Sequence, residues 1–184
     1  MECPDREYKM HGWLNDENKK RLKELLSDFE KPVVLEIGCW LGMSAEYMLK
    51  LNDKLQLITI DIFKESKDFK YFEDLIEIIN SGLYEQAVRN LWKYKDRLVI
   101  MPKKSENAIR ELWYADLKPD LIYIDGSHQY EDVMSDIALS HTYFKNAIIC
   151  GDDTNIFSVK KALRDFEMLN RKKVYMDNNF WIIE

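Results

Sequence analysis

The stretch VVLEIGCWLGMS, residues 33–44, decides the fold of this protein. An apolar run ends in a glutamate, and two glycines follow it, four residues apart. A short buried strand, a glycine-rich turn and a helix are the usual start of a fold that holds a dinucleotide pyrophosphate. Here Glu36 occupies the position of the first glycine of that fingerprint, where a carboxylate would repel a phosphate. The stretch therefore predicts a ligand that carries positive charge.

Runs typical of strands alternate with runs typical of helices along the chain. Such alternation predicts a parallel sheet with helices on both faces. The strand-like runs are PVVLEI, LQLITID, RLVIM, DLIYID and NAIICGD, and the last segment, KKVYMDNNFWIIE, predicts a hairpin around an Asn-rich turn. The predicted class is therefore α/β, a Rossmann-like, doubly wound, seven-stranded sheet that is mostly parallel with an antiparallel C-terminal strand.

The remaining segments predict helices and show no domain boundary. The run NDENKKRLKELLSDF is amphipathic and predicts a helix that Asn15 or Asp16 caps. Residues 65–95 are charged and aromatic and predict two short helices. Because we find no internal repeat and no Pro/Gly/Ser-rich linker, we expect residues 1–184 to form a single domain, with the segment 1–30 packed on it.

Composition excludes several classes of partner. The formal net charge is −6 and the pI about 5.2, which disfavours a nucleic-acid partner. No apolar run is long enough to span a membrane, so we expect no membrane partner. The cysteines Cys3, Cys39 and Cys150 show no C-x-x-C spacing, and the last two lie in apolar runs. These features predict reduced thiols and a cytoplasmic location.

Acidic residues close four of the predicted strands. Because parallel strands end at the same edge of a sheet, we expect these carboxylates to gather over one crevice. The alternative is that individual acids are helix caps or turn residues. The acids in question are Glu36, Asp61, Asp125 and the pair Asp152 and Asp153.

Part of this set is suited to a nucleoside. Asp61 follows Glu36 by about 25 residues, the approximate spacing at which an acid accepts hydrogen bonds from ribose hydroxyls. Gly38 and Gly42 allow the backbone to approach a ligand closely. A nucleoside with a positive group in place of phosphates fits these residues. S-adenosylmethionine is such a molecule, with a sulfonium, an amino acid end and an adenosine.

The motifs resemble those of a known family. VVLEIGCWLGMS is similar to the first motif of class I S-adenosylmethionine-dependent methyltransferases. GWLNDENKKRLKELL, LIYIDGSHQYEDVMSDI and ICGDDT resemble the subgroup of macrocin and catechol-type metal-dependent O-methyltransferases. The resemblance extends from about Gly12 to Glu184, nearly the whole chain. It implies S-adenosylmethionine as the cofactor and a hydroxyl group as the methyl acceptor.

The resemblance also implies which residues bind the cofactor. Asp61 would bind the ribose, and Ile62 would flank the adenine. Ser105, after the third strand, would lie near the adenine, or alternatively it caps the helix that follows. Glu36 and the glycines would line the methionine part. The residues predicted at the cofactor are Glu36, Gly38, Gly42, Asp61, Ile62, Ser105 and Asp125.

The acids after the fourth and fifth strands predict a divalent cation. In the catechol-type relatives, an acid and then an acid–amide pair bind magnesium at these places, whereas this chain has Asp125 and then Asp152 and Asp153. Three close carboxylates raise each other's pKa unless a cation lies between them. A hard cation with oxygen ligands resolves this, magnesium before manganese or calcium. The alternative is that Asp153 caps the following helix and no cation binds.

A histidine near these acids is the predicted catalytic base. His128 follows Asp125 by three residues, where the catechol-type relatives have the lysine that takes the proton from the substrate hydroxyl. Histidine can do so near neutral pH. The predicted catalytic residues are therefore His128 and Asp125. We expect His141 to be structural, while the segment around His11 could fold over the site.

Together these features predict metal-assisted methyl transfer to a hydroxyl of a small molecule or of a sugar or glycan precursor. Two alternatives stay open: a metal-dependent enzyme of other chemistry on the same fold, such as a hydroxylase, and a non-catalytic subunit that binds the cofactor. The spacing of residues does not identify the acceptor. It also leaves open whether the chain forms a homo-oligomer.

Overall fold

A computed structural model describes residues 2–64, 76, 79 and 82–184. Its strands form one sheet in the order β3-β2-β1-β4-β5-β7-β6. β7 pairs antiparallel with β5 and with β6, and the other pairs are parallel, as predicted. The strands are β1 (Val33–Ile37), β2 (Gln56–Asp61), β3 (Leu98–Pro102), β4 (Leu121–Ile124), β5 (Ile148–Gly151), β6 (Val174–Asp177) and β7 (Phe180–Ile183).

Helices connect these strands and cover both faces of the sheet. The side chain of Asn15 accepts a hydrogen bond of 2.8 Å from the N–H of Asn18 and caps the first helix, as one of the two alternatives predicted. Of the two helices predicted within residues 65–95, the described residues contain the second, whereas residues 65–75, 77, 78, 80 and 81 lie outside the description. The helices are α1 (Asp16–Leu26), α2 (Met43–Leu51), α3 (Leu83–Leu91), α4 (Ser105–Tyr114), α5 (Tyr130–Tyr143) and α6 (Phe157–Asn170).

The two-residue period of the strands divides the core into two layers. Along β1, Val34 faces the layer formed with α1, α2 and α3, whereas Leu35 and Ile37 face the layer formed with α4, α5 and α6. α1 packs on α2 and β7, with Leu22 and Leu26 buried. The single-domain assignment of the chain stays a prediction.

The switch in strand order positions the candidate site. The chain turns from β1 toward β2 on one side and continues from β4 toward β5 on the other, so a crevice lies beyond the carboxyl ends of β1 and β4. There the N–H of Asp125 donates to Ile37 O at 2.8 Å, and the N–H of Gly38 donates to Ile60 O at 2.9 Å. None of the helices in the described parts of the chain has the length and apolar character needed to cross a membrane.

Candidate active site

The first loop, residues 38–42, joins β1 to α2. Glu36 is buried beneath this loop rather than exposed in the crevice. Its side chain is fully buried, and its two oxygens accept hydrogen bonds from Ser44 Oγ at 2.6 Å and from Thr59 Oγ1 at 2.5 Å. Burial raises the pKa of Glu36 to about 7, although the two hydroxyl donors lower it. Strand alternation turns this carboxylate inward, where it joins β1, β2 and α2, and its role at the cofactor stays a prediction.

The two glycines of the loop are required by close packing within the chain. Gly38 has φ +100°, and a Cβ there would lie 2.0 Å from the backbone O of Asp125. Gly42 has φ +94°, and a Cβ there would lie 2.8 Å from the side chain of Leu91. Only glycine adopts such φ values readily. Gly38 thus brings the first loop against the end of β4, which places the predicted cofactor and metal residues next to each other.

Asp61 organises the first loop through its carboxylate. The oxygens accept hydrogen bonds from the N–H groups of Cys39 at 2.9 Å, Trp40 at 2.8 Å and Phe63 at 2.7 Å. An ionised carboxylate has about four acceptor positions, so capacity remains for one ribose hydroxyl. Ile62 follows directly and is 50% exposed. The roles of Asp61 at the ribose and Ile62 at the adenine stay predictions.

Ser105 is the first residue of α4, and Lys104 occupies the cap position. The alternative that Ser105 caps the helix is therefore wrong. Its hydroxyl instead donates to Asp136 at 2.5 Å. Burial raises the pKa of Asp136 to about 6, although this hydrogen bond lowers it. The position of Ser105 near the adenine stays a prediction, and Asp136 is a buried acid that the sequence pattern did not single out.

The ends of β4 and β5 bring three titratable side chains together. Asp125, His128 and Asp153 each offer one ligand atom, and these atoms lie within 4.8 Å of one another. His128 Nε2 lies 2.6 Å from Asp153 Oδ2. Burial, and then the charges of Asp152 and Asp153, raise the pKa of Asp125 well above its usual range. These residues line a small pocket together with Asp152, Val133 and Trp181.

Asp152 lies next to this cluster and accepts hydrogen bonds from three donors. It is buried, and its oxygens accept from the side-chain amide of Asn18, from Asn179 Nδ2 at 2.5 Å and from the N–H of Asp153 at 2.5 Å. The predicted metal set was Asp125, Asp152 and Asp153. The geometric cluster contains the first and the last together with His128, and Asp152 lines the same pocket. The metal set stays a prediction.

Asp153 does not cap α6. Its backbone is left-handed, with φ +69°, and Ile156 occupies the cap position of the helix. The alternative of a helix cap is therefore wrong. A left-handed conformation costs free energy at an aspartate and is found where surrounding contacts impose it, often at functional sites. The backbone thus directs the Asp153 carboxylate toward His128.

The N-terminal strap, which we define as residues 6–13, lies across α3 and the first loop. Gln86 Nε2 donates to the strap backbone. The buried side chain of Asn90 accepts from Lys9 N at 3.0 Å and donates to Lys9 O and to Leu41 O, both at 2.9 Å. Asn90 thus ties the strap to the first loop, a connection that the helix-face pattern of α3 did not indicate.

Aromatic side chains of the strap lie against the first loop. Trp40 Nε1 donates to His11 Nδ1 at 3.1 Å. The rings of His11 and Trp13 meet edge to face with centroids 4.7 Å apart, and Trp13 is 54% exposed. The segment around His11 therefore folds over this loop, as the sequence suggested. His141, by contrast, packs on Phe166 within the helical layer, with ring centroids 5.4 Å apart.

The residues of β1 to β5 and their loops match a known family. The family model described as Methyltransferase domain matches residues 35–154. The chain belongs to this family. It is an S-adenosylmethionine-dependent methyltransferase, and the matched region contains both the first loop and the acidic strand ends. No curated protein matches the chain.

Solved structures share the fold of this methyltransferase at low sequence identity. CalS11, a TDP-rhamnose 3′-O-methyltransferase of calicheamicin biosynthesis, is 15% identical over 92% of this chain and 80% of its own, with a TM-score of 0.57. TomG, an O-methyltransferase from Streptomyces achromogenes in complex with S-adenosylmethionine, is 14% identical over 93% of this chain and 80% of its own, with a TM-score of 0.66. MycE of the mycinamycin pathway, in complex with Mg and S-adenosylhomocysteine, is 14% identical over 90% of this chain and 48% of its own, with a TM-score of 0.59.

Proposed function

We propose that this methyltransferase transfers a methyl group from S-adenosylmethionine to a hydroxyl of a small molecule or sugar, with the help of a divalent cation, Mg²⁺ in the first place. The observation that carries the proposal is the cluster of Asp125, His128 and Asp153 beside the first loop. Similarity to CalS11, which is named for methylation of a sugar hydroxyl, and to MycE, whose structure contains Mg, supports the same chemistry.

The residues present fit a divalent cation. Oxygen donors suit Mg²⁺, and Asp125 and Asp153 supply carboxylate oxygens at the site. Burial, and then repulsion by Asp152 and Asp153, raise the pKa of Asp125. A positive ion beside it would stabilise the ionised carboxylate and lower that pKa. Mn²⁺ also takes carboxylate oxygens and would fit the same two side chains. When bound, such an ion would lower the pKa of the substrate hydroxyl.

His128 is the proposed general base. Its side chain is 46% exposed, so a substrate hydroxyl can reach it. The proton would pass to the imidazole, and Asp153 Oδ2, which lies 2.6 Å from Nε2, would stabilise the imidazolium that forms. A positioned base contributes about 10²–10⁴-fold to such a step. Alignment of the hydroxyl with the sulfonium methyl would contribute much of the remaining acceleration.

The first loop and the strap would bind and shield the cofactor. Asp61 has remaining acceptor capacity for the ribose, and the exposed Ile62 offers an apolar surface for the adenine. Trp13 of the strap and Trp40 of the first loop, whose ring centroids lie 6.3 Å apart, would cover the methionine end. This cover would exclude water during methyl transfer.

A hydroxylase on this fold is the less favoured alternative. Iron oxygenases commonly bind the metal with two histidines and one carboxylate. Among the described residues, His128 is the histidine of the cluster, whereas His11 contacts Trp40 and His141 contacts Phe166.

The test is methyl transfer from labelled S-adenosylmethionine to a panel of catechols and nucleotide sugars, with Mg²⁺, with Mn²⁺ or with excess chelator. We expect a methyl ether product that needs the cation and that falls about 10²–10⁴-fold in His128→Gln. Full turnover in excess chelator would remove the cation from the proposal. Oxygen uptake with ferrous iron would favour the hydroxylase, and S-adenosylhomocysteine binding without transfer to any acceptor would favour a non-catalytic subunit.

A further inference from the structure

Asn18 is a buried amide on the apolar face of α1. It is fully buried in α1 and lies one turn before Leu22, on the apolar face of the helix. Its Nδ2 donates to Asp152 Oδ2, whereas its Oδ1 has no hydrogen-bond partner among the residues that the structure describes. A buried polar atom without a partner costs about 1–3 kcal/mol. Packing therefore does not explain Asn18, but its contact with Asp152 does.

Asn179, in the turn between β6 and β7, reaches the same carboxylate from the opposite end of the chain. Its Nδ2 lies 2.5 Å from Asp152 Oδ1 and 3.4 Å from Asp153 Oδ1. The turn itself is fixed to the loop after β5, because Thr154 Oγ1 donates to Asn178 O at 2.6 Å. The position of Asn179 is thus set by the same loop that carries the two aspartates.

The donors on Asp152 come from three separate elements. Together with the N–H of Asp153, the amides of Asn18 and Asn179 fix the orientation of the Asp152 carboxylate and supply it with neutral donors. These donors leave the Asp152 carboxylate little freedom to turn. The ligand atoms of Asp125, His128 and Asp153 form the neighbouring cluster, within 4.8 Å of one another.

We propose that Asn18 and Asn179 are positioning residues of the cation site. They hold Asp152 and Asp153 so that Asp153 presents an oxygen toward Asp125 and His128. This inference rests on the proposed function, because it assumes that the cluster binds a divalent ion. Groups that orient metal ligands from behind typically contribute 10–100-fold to metal affinity.

The experiment measures Mn²⁺ affinity and S-adenosylhomocysteine affinity of the full chain by calorimetry. The main variant is Asn18→Leu, which lacks the donor but fills the buried position beside Leu22 with an apolar side chain. We expect Mn²⁺ to bind about 10–100-fold more weakly to this variant, with unchanged S-adenosylhomocysteine affinity. The melting temperature is expected to fall, because Asp152 Oδ2 loses its buried donor. A purely structural role of Asn18 would not separate the two affinities.

A second variant and a matched control complete the experiment. Asn179→Ala changes the partly buried turn, so it tests the same proposal if Asn18→Leu fails to fold, and we expect the same weaker Mn²⁺ binding. Asn170→Ala is the control, because its amide donates to Phe166 O at 3.0 Å at the far end of α6, and we expect wild-type Mn²⁺ affinity.

The outcomes separate this inference from the proposed function. Wild-type Mn²⁺ affinity in the folded Asn18→Leu and Asn179→Ala variants would overturn the positioning role while leaving the cation site intact. Failure of the wild-type protein to bind Mn²⁺ or Mg²⁺ would overturn the cation site itself and this inference with it.

Discussion

The carboxyl ends of β1 and β2 differ from those of β4 and β5 in how their acids are balanced. On the first side, Glu36 and Asp61 receive hydrogen bonds from hydroxyls and backbone N–H groups of the chain. On the second side, Asp125 and Asp153 lie close to each other and to His128, and burial, then the charges of neighbouring acids, raise the pKa of Asp125.

This difference shows that an acid at a strand end is not by itself a sign of a ligand. Glu36, at the entrance of the first loop, joins Ser44 of α2 to Thr59 of β2 through its two oxygens. Donors supplied by the chain satisfy such an acid. A cluster whose charges are not compensated in this way is the better indicator of a cation site.

The largest expected effect is on the pH dependence of stability and comes from Glu36, near the carboxyl end of β1. Burial raises the pKa of Glu36 from 4.5 to about 7. Between pH 4.5 and about pH 7, the folded protein therefore keeps the proton on Glu36, whereas the unfolded chain has released it. Wild-type stability is therefore lost as pH rises from about 4.5 through about 7. We expect Glu36→Gln to be more stable than wild type at pH 9 by about 3 kcal/mol, and similar at pH 4. Urea unfolding across this pH range measures the difference.

A second glutamate provides a control of opposite sign. Burial alone would raise the pKa of Glu46, but Lys50 at 2.7 Å and Lys93 at 2.8 Å outweigh it and the pKa is lowered. Its contribution to stability is present above its ordinary pKa and lost as pH falls. Glu46→Gln should therefore be less stable than wild type at pH 7. If the free energies of unfolding of wild type and Glu36→Gln depended on pH in the same way, the raised pKa of Glu36 would be contradicted.

A smaller effect is expected where the strap meets the first loop. Asn90→Ala removes the hydrogen bonds to the backbone of Lys9 and Leu41. We expect a loss of about 2 kcal/mol in the free energy of unfolding, since each hydrogen bond contributes about 1 kcal/mol net and the strap relaxes in part. Because the loop is freed, we also expect weaker S-adenosylhomocysteine binding, measured by calorimetry. Unchanged cofactor affinity would mean that the strap does not act on the loop.

The matching substitution on the second side is Asp125→Asn. Burial, and then the charges of Asp152 and Asp153, raise the pKa of Asp125, so ionised Asp125 opposes folding when no cation is present. We expect Asp125→Asn in chelator at pH 8 to be more stable than wild type, because the variant has no charge to bury and none to repel the two neighbouring aspartates. Added Mg²⁺ should raise the melting temperature of wild type but not of the variant. A less stable Asp125→Asn in chelator would show that the second side is balanced internally as well.

Much of the fold could be predicted because its signals are local. Apolar runs of strand length, amphipathic runs and an Asn-rich turn predicted the strands that form the sheet and the antiparallel β7. The gathering of Asp125 and Asp153 followed from parallel strands that end at one edge. The inward orientation of Glu36 was missed, although strand alternation signals it, because the motif was compared with one that faces a ligand.

The sequence by itself determined the alternation of strands and helices, the glycine-rich first loop and the placement of acids after four strands, because periodicity and turn chemistry act over a few residues. Only the tertiary structure decided which of those acids are compensated. Asn18 and Asp152 are 134 positions apart, and Asn90 lies 81 positions from Lys9. Hydrogen bonds between such distant residues depend on how the helices and the strap pack on the sheet, and no local pattern contains that information.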